Sequence, residues 1–215
     1  MLGIQNVGVV IVGSGFPVAQ VDLDVLFPGG KKPESEIKMP QIIQAQTEDY
    51  QLVATADRFQ LFTTKITSHE ESFATLRSAA LAFLREYVTA RAVSAVGFNF
   101  IGRIETNHPT ATELLQHIAL PGWYSDILHS KVMPTPVVIT RVKLGDEDST
   151  VLQLEPATDD PKAVSYAINV NWGSAPPNTL ESDPSSIVGS LTSVAKPLTD
   201  LLARISQAGA TRDSE

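Results

Sequence analysis

QLVATADRFQLFTTKITSHEESFATLRSAALAFLREYVTARAVSAVGFNFIGRIET, residues 51–106, is the stretch whose reading decides the fold. Gln51–Lys65 reads as extended, Ser68–Ala92 as one amphipathic helix, and Ser94–Thr106 as extended again. The helix start is marked by Ser68-His69-Glu70-Glu71, a capping box in which the serine oxygen and the Glu71 carboxylate satisfy end amides reciprocally. Phe73, Leu76, Ala80, Phe83, Leu84, Tyr87 and Val88 recur at helical spacing, with Arg77, Arg85 and Glu86 on or near the other side. Such a stripe predicts a helix lying on a sheet.

Upstream, Val7–Val12 is a continuous apolar run, Gly13-Ser14-Gly15 a turn, and Val21-Asp22-Leu23-Asp24-Val25 alternates with period two. The expectation is a hairpin whose second strand is Val18–Phe27. Pro28–Glu34 breaks the pattern and reads as an exposed loop. Gln41–Gln46, Gln51–Thr55 and Arg58–Thr64 follow as strands. Downstream, Thr110-Ala111-Thr112-Glu113 caps a short helix carrying Leu114, Leu115 and Ile118. Val137–Leu144, Val151–Glu155 and Ala163–Trp172 read as a meander with acidic turns at 145–148 and 159–161. Asp183 and Pro184 start a last helix with Ile187, Leu191, Val194, Leu198, Leu201 and Ile205 as its seam. Pro197 should kink it and Gly209 end it.

The fold class expected is therefore α+β: an antiparallel sheet with a long packed helix, followed by a second three-stranded meander and a kinked C-terminal helix. The 215 residues suit one domain, divisible into two sheet-plus-helix halves at 1–107 and 134–208, joined by a connector at 108–133.

Composition narrows the function classes. Net charge is −8, with residues 1–107 contributing −2 and 108–215 contributing −6. No basic cluster exceeds Lys31-Lys32, which removes the electrostatic footprint of nucleic-acid binding. With no cysteine, disulfides, thiolate zinc sites and a cysteine nucleophile are excluded. Nothing approaches the ~20 apolar residues of a membrane helix, and Val7–Val12 is too short for a signal-peptide core. The default expectation is a cytoplasmic protein.

Reactive constellations are sparse. Val12-Gly13-Ser14-Gly15-Phe16-Pro17-Val18 resembles a dinucleotide fingerprint, but Val18 replaces its third glycine and no helix follows, so a turn between strands explains it better. No cofactor is implied. Asp22 and Asp24 share one face of the expected strand, which suits acid–base work or a cation, against the simpler reading of a solvated face. His117, Asp126 and His129 would make a mixed metal site if the connector folded back, against rim histidines. Asp146, Glu147 and Asp148 read as hairpin-tip residues.

Leu120-Pro121-Gly122-Trp123-Tyr124, with Ile127, Leu128, Val132 and Met133 after it, has the composition of an interface anchor. The competing reading folds these rings down to seal the two halves. Partner-binding is accordingly assigned to Trp123, Tyr124, Ile127, Leu128 and Met133. Three function classes stand: a non-catalytic interaction or assembly protein, self-associating or binding another protein; a small apolar ligand binder with a cavity between the long helix and the sheet; and a metal-dependent hydrolase around Asp22, Asp24, His117 and His129.

Arg58-Phe59-Gln60-Leu61, the Ser68–Ala92 helix and Val96-Gly97-Phe98-Asn99-Phe100-Ile101-Gly102-Arg103-Ile104 together resemble a sporadically distributed bacterial family of uncharacterised proteins. Its hallmark is Arg-Phe-x-Leu, a long helix, and a strand reading Val-Gly-Leu-Arg-Tyr-Ile-Asn-Arg-Ile. Here Phe98, Asn99, Phe100 and Gly102 stand for its Leu, Arg, Tyr and Asn. The resemblance implies an α+β fold and a bacterial or phage origin, and supplies no catalytic residue.

Overall fold

The structure, a computed structural model of the chain, describes residues 2–27, 33–66, 69–89, 92–119, 137–144, 147, 149–173, 180 and 183–207. Among these residues nine strands make one antiparallel sheet: β1 (Leu2–Gly13), β2 (Ser35–Met39), β3 (Ile42–Gln46), β4 (Tyr50–Thr55), β5 (Arg58–Thr63), β6 (Val93–Glu105), β7 (Val138–Val142), β8 (Ser149–Pro156) and β9 (Ala163–Trp172). Their order across the sheet is β2-β3-β4-β5-β1-β6-β9-β8-β7. The helices are α1 (Leu23–Leu26), α2 (His69–Tyr87), α3 (Ala111–Ala119), α4 (Pro184–Gly189) and α5 (Leu191–Gln207).

The two runs of strands fuse where β6 pairs with β9, from Val96 opposite Trp172 to Glu105 opposite Ala163. Strand β1 lies mid-sheet between β5 and β6. A β-bulge between Ile4 and Asn6 places one extra residue, Gln5, in β1.

Alternation sorts every strand into two faces. On the core face lie Val7, Val9 and Ile11 of β1, Phe59 and Leu61 of β5, Val96, Phe98, Phe100 and Ile104 of β6, and Val164, Tyr166, Ile168, Val170 and Trp172 of β9. Helix α2 lays Phe73, Leu76, Ala80, Phe83 and Leu84 onto this face, as its stripe requires. Phe83 stacks on Phe59 with centroids 4.1 Å apart and meets the edge of Phe16 at 5.4 Å. Each fully buried ring of this kind contributes about 1.5–3 kcal/mol by leaving water. Of the C-terminal seam, Ile187, Leu191 and Leu198 are buried in the core and Val194, Leu201 and Ile205 are half-buried against it, while Val188, Ala195 and Leu202, outside the expected seam, are buried too. The seam is split in two, because α4 ends at Ser190 before α5 begins; Pro197 lies inside α5.

Two expectations are corrected. Val18–Phe27 is not a strand: Val18–Gln20 is a 3₁₀ turn and Leu23–Leu26 a short helix. The inward residues Val18, Val21, Leu23, Leu26 and Phe27 follow helical spacing rather than alternation, and Val25 points out at 36% exposure. Asp22 is the N-cap, its Oδ1 accepting from the Asp24 amide at 2.9 Å. Second, Ser35–Met39 is a strand, one that the sequence pattern does not mark, because all five residues are exposed.

Candidate interaction surface

The face of the sheet opposite the helices is built from the residues that each strand turns away from the core. Cross-strand pairing aligns them in rows. One row runs Phe62, Gly8, Asn99, Asn169, Val151, Arg141; another runs Asn6, Ile101, Ala167, Gln153, Ile139. A third runs Ile37, Gln44, Val53, Gln60, Val10, Gly97, Asn171, Ser149. Val10 belongs to this face, which is why it is buried yet lies outside the main core cluster.

Two glycines shape the middle of the surface. A Cβ at Gly8 would collide with the ring of Phe62, and one at Gly97 would meet Asn171 Oδ1 at 2.6 Å. The phenyl ring and the amide therefore sit against bare backbone. Gln60, with its amide oxygen turned to the guanidinium, accepts from Arg58 Nη2 at 2.6 Å. Arg103 Nη2 pairs with Asp159 Oδ1 at 2.6 Å, and this neighbour holds the Asp159 carboxyl below its ordinary value.

The composition of this face is that of an interface: amides, isoleucines and arginines, with few carboxylates. Among the described residues seven large apolar side chains are exposed, and four of them, Ile37, Met39, Ile101 and Ile139, lie here. Ile101 is 45% exposed and Ile139 66%, on the same row.

The partner-binding residues expected from the sequence, Trp123, Tyr124, Ile127, Leu128 and Met133, lie outside the described residues, as do Asp126, His129 and the Ser68 cap. For His117 only the backbone, in α3, is described. Asp22 and Asp24 are brought together, but as cap and first-turn residue of α1 rather than as neighbours on a strand face. Among the described residues no three His, Asp or Glu side chains group as a metal site.

The Gly13-Ser14-Gly15 turn spends its amides on the protein itself. Gly13, Ser14 and Phe16 donate to the carbonyls of Asp57, Ala92 and Ala56 at 2.8–2.9 Å, which ties β1 to two other loops. Glu147 is also reassigned. It is 1% exposed rather than at a solvated tip, and its Oε1 accepts from the Leu144 amide at 2.6 Å and from Thr150 Oγ1 at 2.9 Å.

Phe83, Phe59 and Phe16 pack together where α2 meets the sheet. An open cavity of about 520 Å³ lies one element over, between α2 and α5. Ile4, Phe73 and Ala195 floor it, and Glu70, Arg77 and Lys196 rim it.

No family model matches the sequence, and no curated protein matches it. Among solved structures the chain is similar to the di-domain ARO/CYC BexL from the BE-7585A biosynthetic pathway. The likeness spans 78% of this chain and 72% of that one, at 8% identity and a TM-score of 0.26, too distant to bear on the site. Among the described residues no helix is long and apolar enough to cross a membrane.

Proposed function

We propose that the protein is a non-catalytic interaction or assembly component of bacterial or phage origin, working through the open face of its sheet. The observation that carries this reading is that four of the seven large apolar side chains exposed among the described residues stand on the one sheet face turned away from the helices, spread from β2 at one edge to β7 at the other. Apolar side chains left exposed on an ordered sheet face are candidates for contact with a partner. The Trp123–Met133 segment remains part of the proposal as an additional anchor. Kinship with the family carrying Arg-Phe-x-Leu and the Val-Gly-Leu-Arg-Tyr-Ile-Asn-like strand is proposed on the same footing.

The test is Ile101→Asp combined with Ile139→Asp, two positions on one row. Circular dichroism and Tm should stay near wild type, since both side chains are exposed. Capture of native-host proteins should fall, while Ile118→Asp on α3 leaves it intact. Unchanged capture in the double variant would sink the reading.

A second reading takes the α2–α5 cavity as a small-ligand site, its apolar floor holding a carbon skeleton and Arg77 and Lys196 an anionic group. A thermal-shift panel of small carboxylates tests it. Stabilisation that Lys196→Glu abolishes supports this reading, and a panel without any shift removes it.

A further inference from the structure

Strand β2 closes one end of the sheet, and its five residues Ser35-Glu36-Ile37-Lys38-Met39 are all exposed. It has β3 on one side and no described strand on the other. Alternate residues therefore aim N–H and C=O groups outward, the arrangement that recruits another strand. Two exposed apolar side chains, Ile37 at 49% and Met39 at 56%, stand on its open face. On the helix side Lys38 Nζ donates to the Val21 carbonyl at 3.0 Å.

The charges on this strand are arranged symmetrically about Ile37. We propose that β2 pairs antiparallel with β2 of a second copy of this chain, about a two-fold axis through Ile37. In that register Glu36 faces the partner's Lys38 and Lys38 faces the partner's Glu36, while Ile37 meets its own copy and Met39 meets the partner's Ser35. Sliding by one residue in each chain puts Lys38 against Lys38, or Glu36 against Glu36 with Lys38 then opposite Glu34, so the two-fold through Ile37 is the register free of a like-charge contact. Lys38 keeps donors for the partner while it holds Val21, because an ammonium has three. The other edge, β7, carries Arg141 and no carboxylate, so pairing it with itself places like charges together or leaves them unmatched. The contact is isologous and closes at two copies. It joins two nine-stranded sheets into one and leaves both open faces available, so it goes beyond the sheet-face reading and stands if that reading fails.

Sedimentation velocity from micromolar to millimolar protein tests it, with dimer as the expected species. Because each two-fold contact holds two charge pairs, Glu36→Lys alone or Lys38→Glu alone should weaken dimerisation about tenfold or more. The double variant Glu36→Lys/Lys38→Glu restores the complementarity and should recover the dimer to within about threefold. All three stay folded by circular dichroism, since the positions are exposed. Four results overturn the proposal: a wild-type monomer throughout, single reversals without effect, a double variant as weak as the singles, or species that grow past dimer. The Ile101→Asp/Ile139→Asp protein should still dimerise, which separates this contact from the open face.

Discussion

Gly102 shows how one position is dictated by its surroundings. A Cβ there would run into the carbonyl of Gly3, which the bulge in β1 pulls close, and into the hydroxyl of Tyr166, whose ring covers the spot. Burial pushes that phenol's pKa far up, so it stays neutral at physiological pH. Gly102→Ala should cost about 1–3 kcal/mol in chemical denaturation. Gly3→Ala, with nothing within 4 Å of the added carbon, should be near neutral. Glu147→Ala leaves the Leu144 amide and the Thr150 hydroxyl without their acceptor and should cost about 1–3 kcal/mol by the same measurement. Asp159 titrates below its ordinary value because of Arg103. Its folded value is the depressed one, so its contribution to stability is present above the ordinary carboxylate value and fades as pH drops through the folded value. In Arg103→Gln an NMR titration should find the Asp159 carboxyl moved back up toward 3.8. An unmoved value would show that the ion pair does not form in solution.

Among the elements, α2 was the most legible and α1 the least. The stripe from Phe73 to Leu84 repeats over about three turns, long enough for period and burial to agree. The alternation at Val21–Val25 covers five residues, a length at which one cap overrides the pattern: Asp22 Oδ1 accepts from the Asp24 amide and the chain turns. Phe83 is the keystone of the α2 contact, touching Phe59, Phe16 and Tyr87. Phe83→Ala should lose about 3–5 kcal/mol. Phe62→Ala, on the half-buried open face over Gly8, should lose clearly less. The reverse ranking in urea titrations would mean that the open face is the better packed of the two.

At the scale of the whole molecule, the pairing of β6 with β9 makes one sheet from two runs of strands. Phe98 lies against Trp172 at 5.2 Å across that junction. We expect one cooperative unfolding transition, with far-UV circular dichroism and aromatic near-UV signals changing together. Separated transitions would show that residues 1–107 and 134–208 unfold independently. Because the pairings at the centre of the sheet, β1 with β5 and β6 and β6 with β9, are non-local, refolding should fall in the millisecond-to-second range in stopped-flow measurements. A microsecond phase that completes folding would contradict that expectation.

Local rules in the sequence determined most strands, the long helix, the Thr110 cap, whose hydroxyl accepts from the Glu113 amide at 3.2 Å, and the Asp183–Pro184 start of α4. Each depends on neighbours within a few residues, where period and capping chemistry act. The open face was not legible as a surface. Its rows take one residue from each of several strands, and Ile101, Gln153 and Ile139 are far apart in the chain. Each strand alone shows only an ordinary polar side. The β2 edge was missed for the same physical reason: a strand exposed on both sides has no burial pattern to read. Sequence fixes which residues turn away from the core, because alternation is a property of one strand. Only the tertiary structure decides which of them stand side by side, because that depends on strand order, and strand order is set by long-range burial.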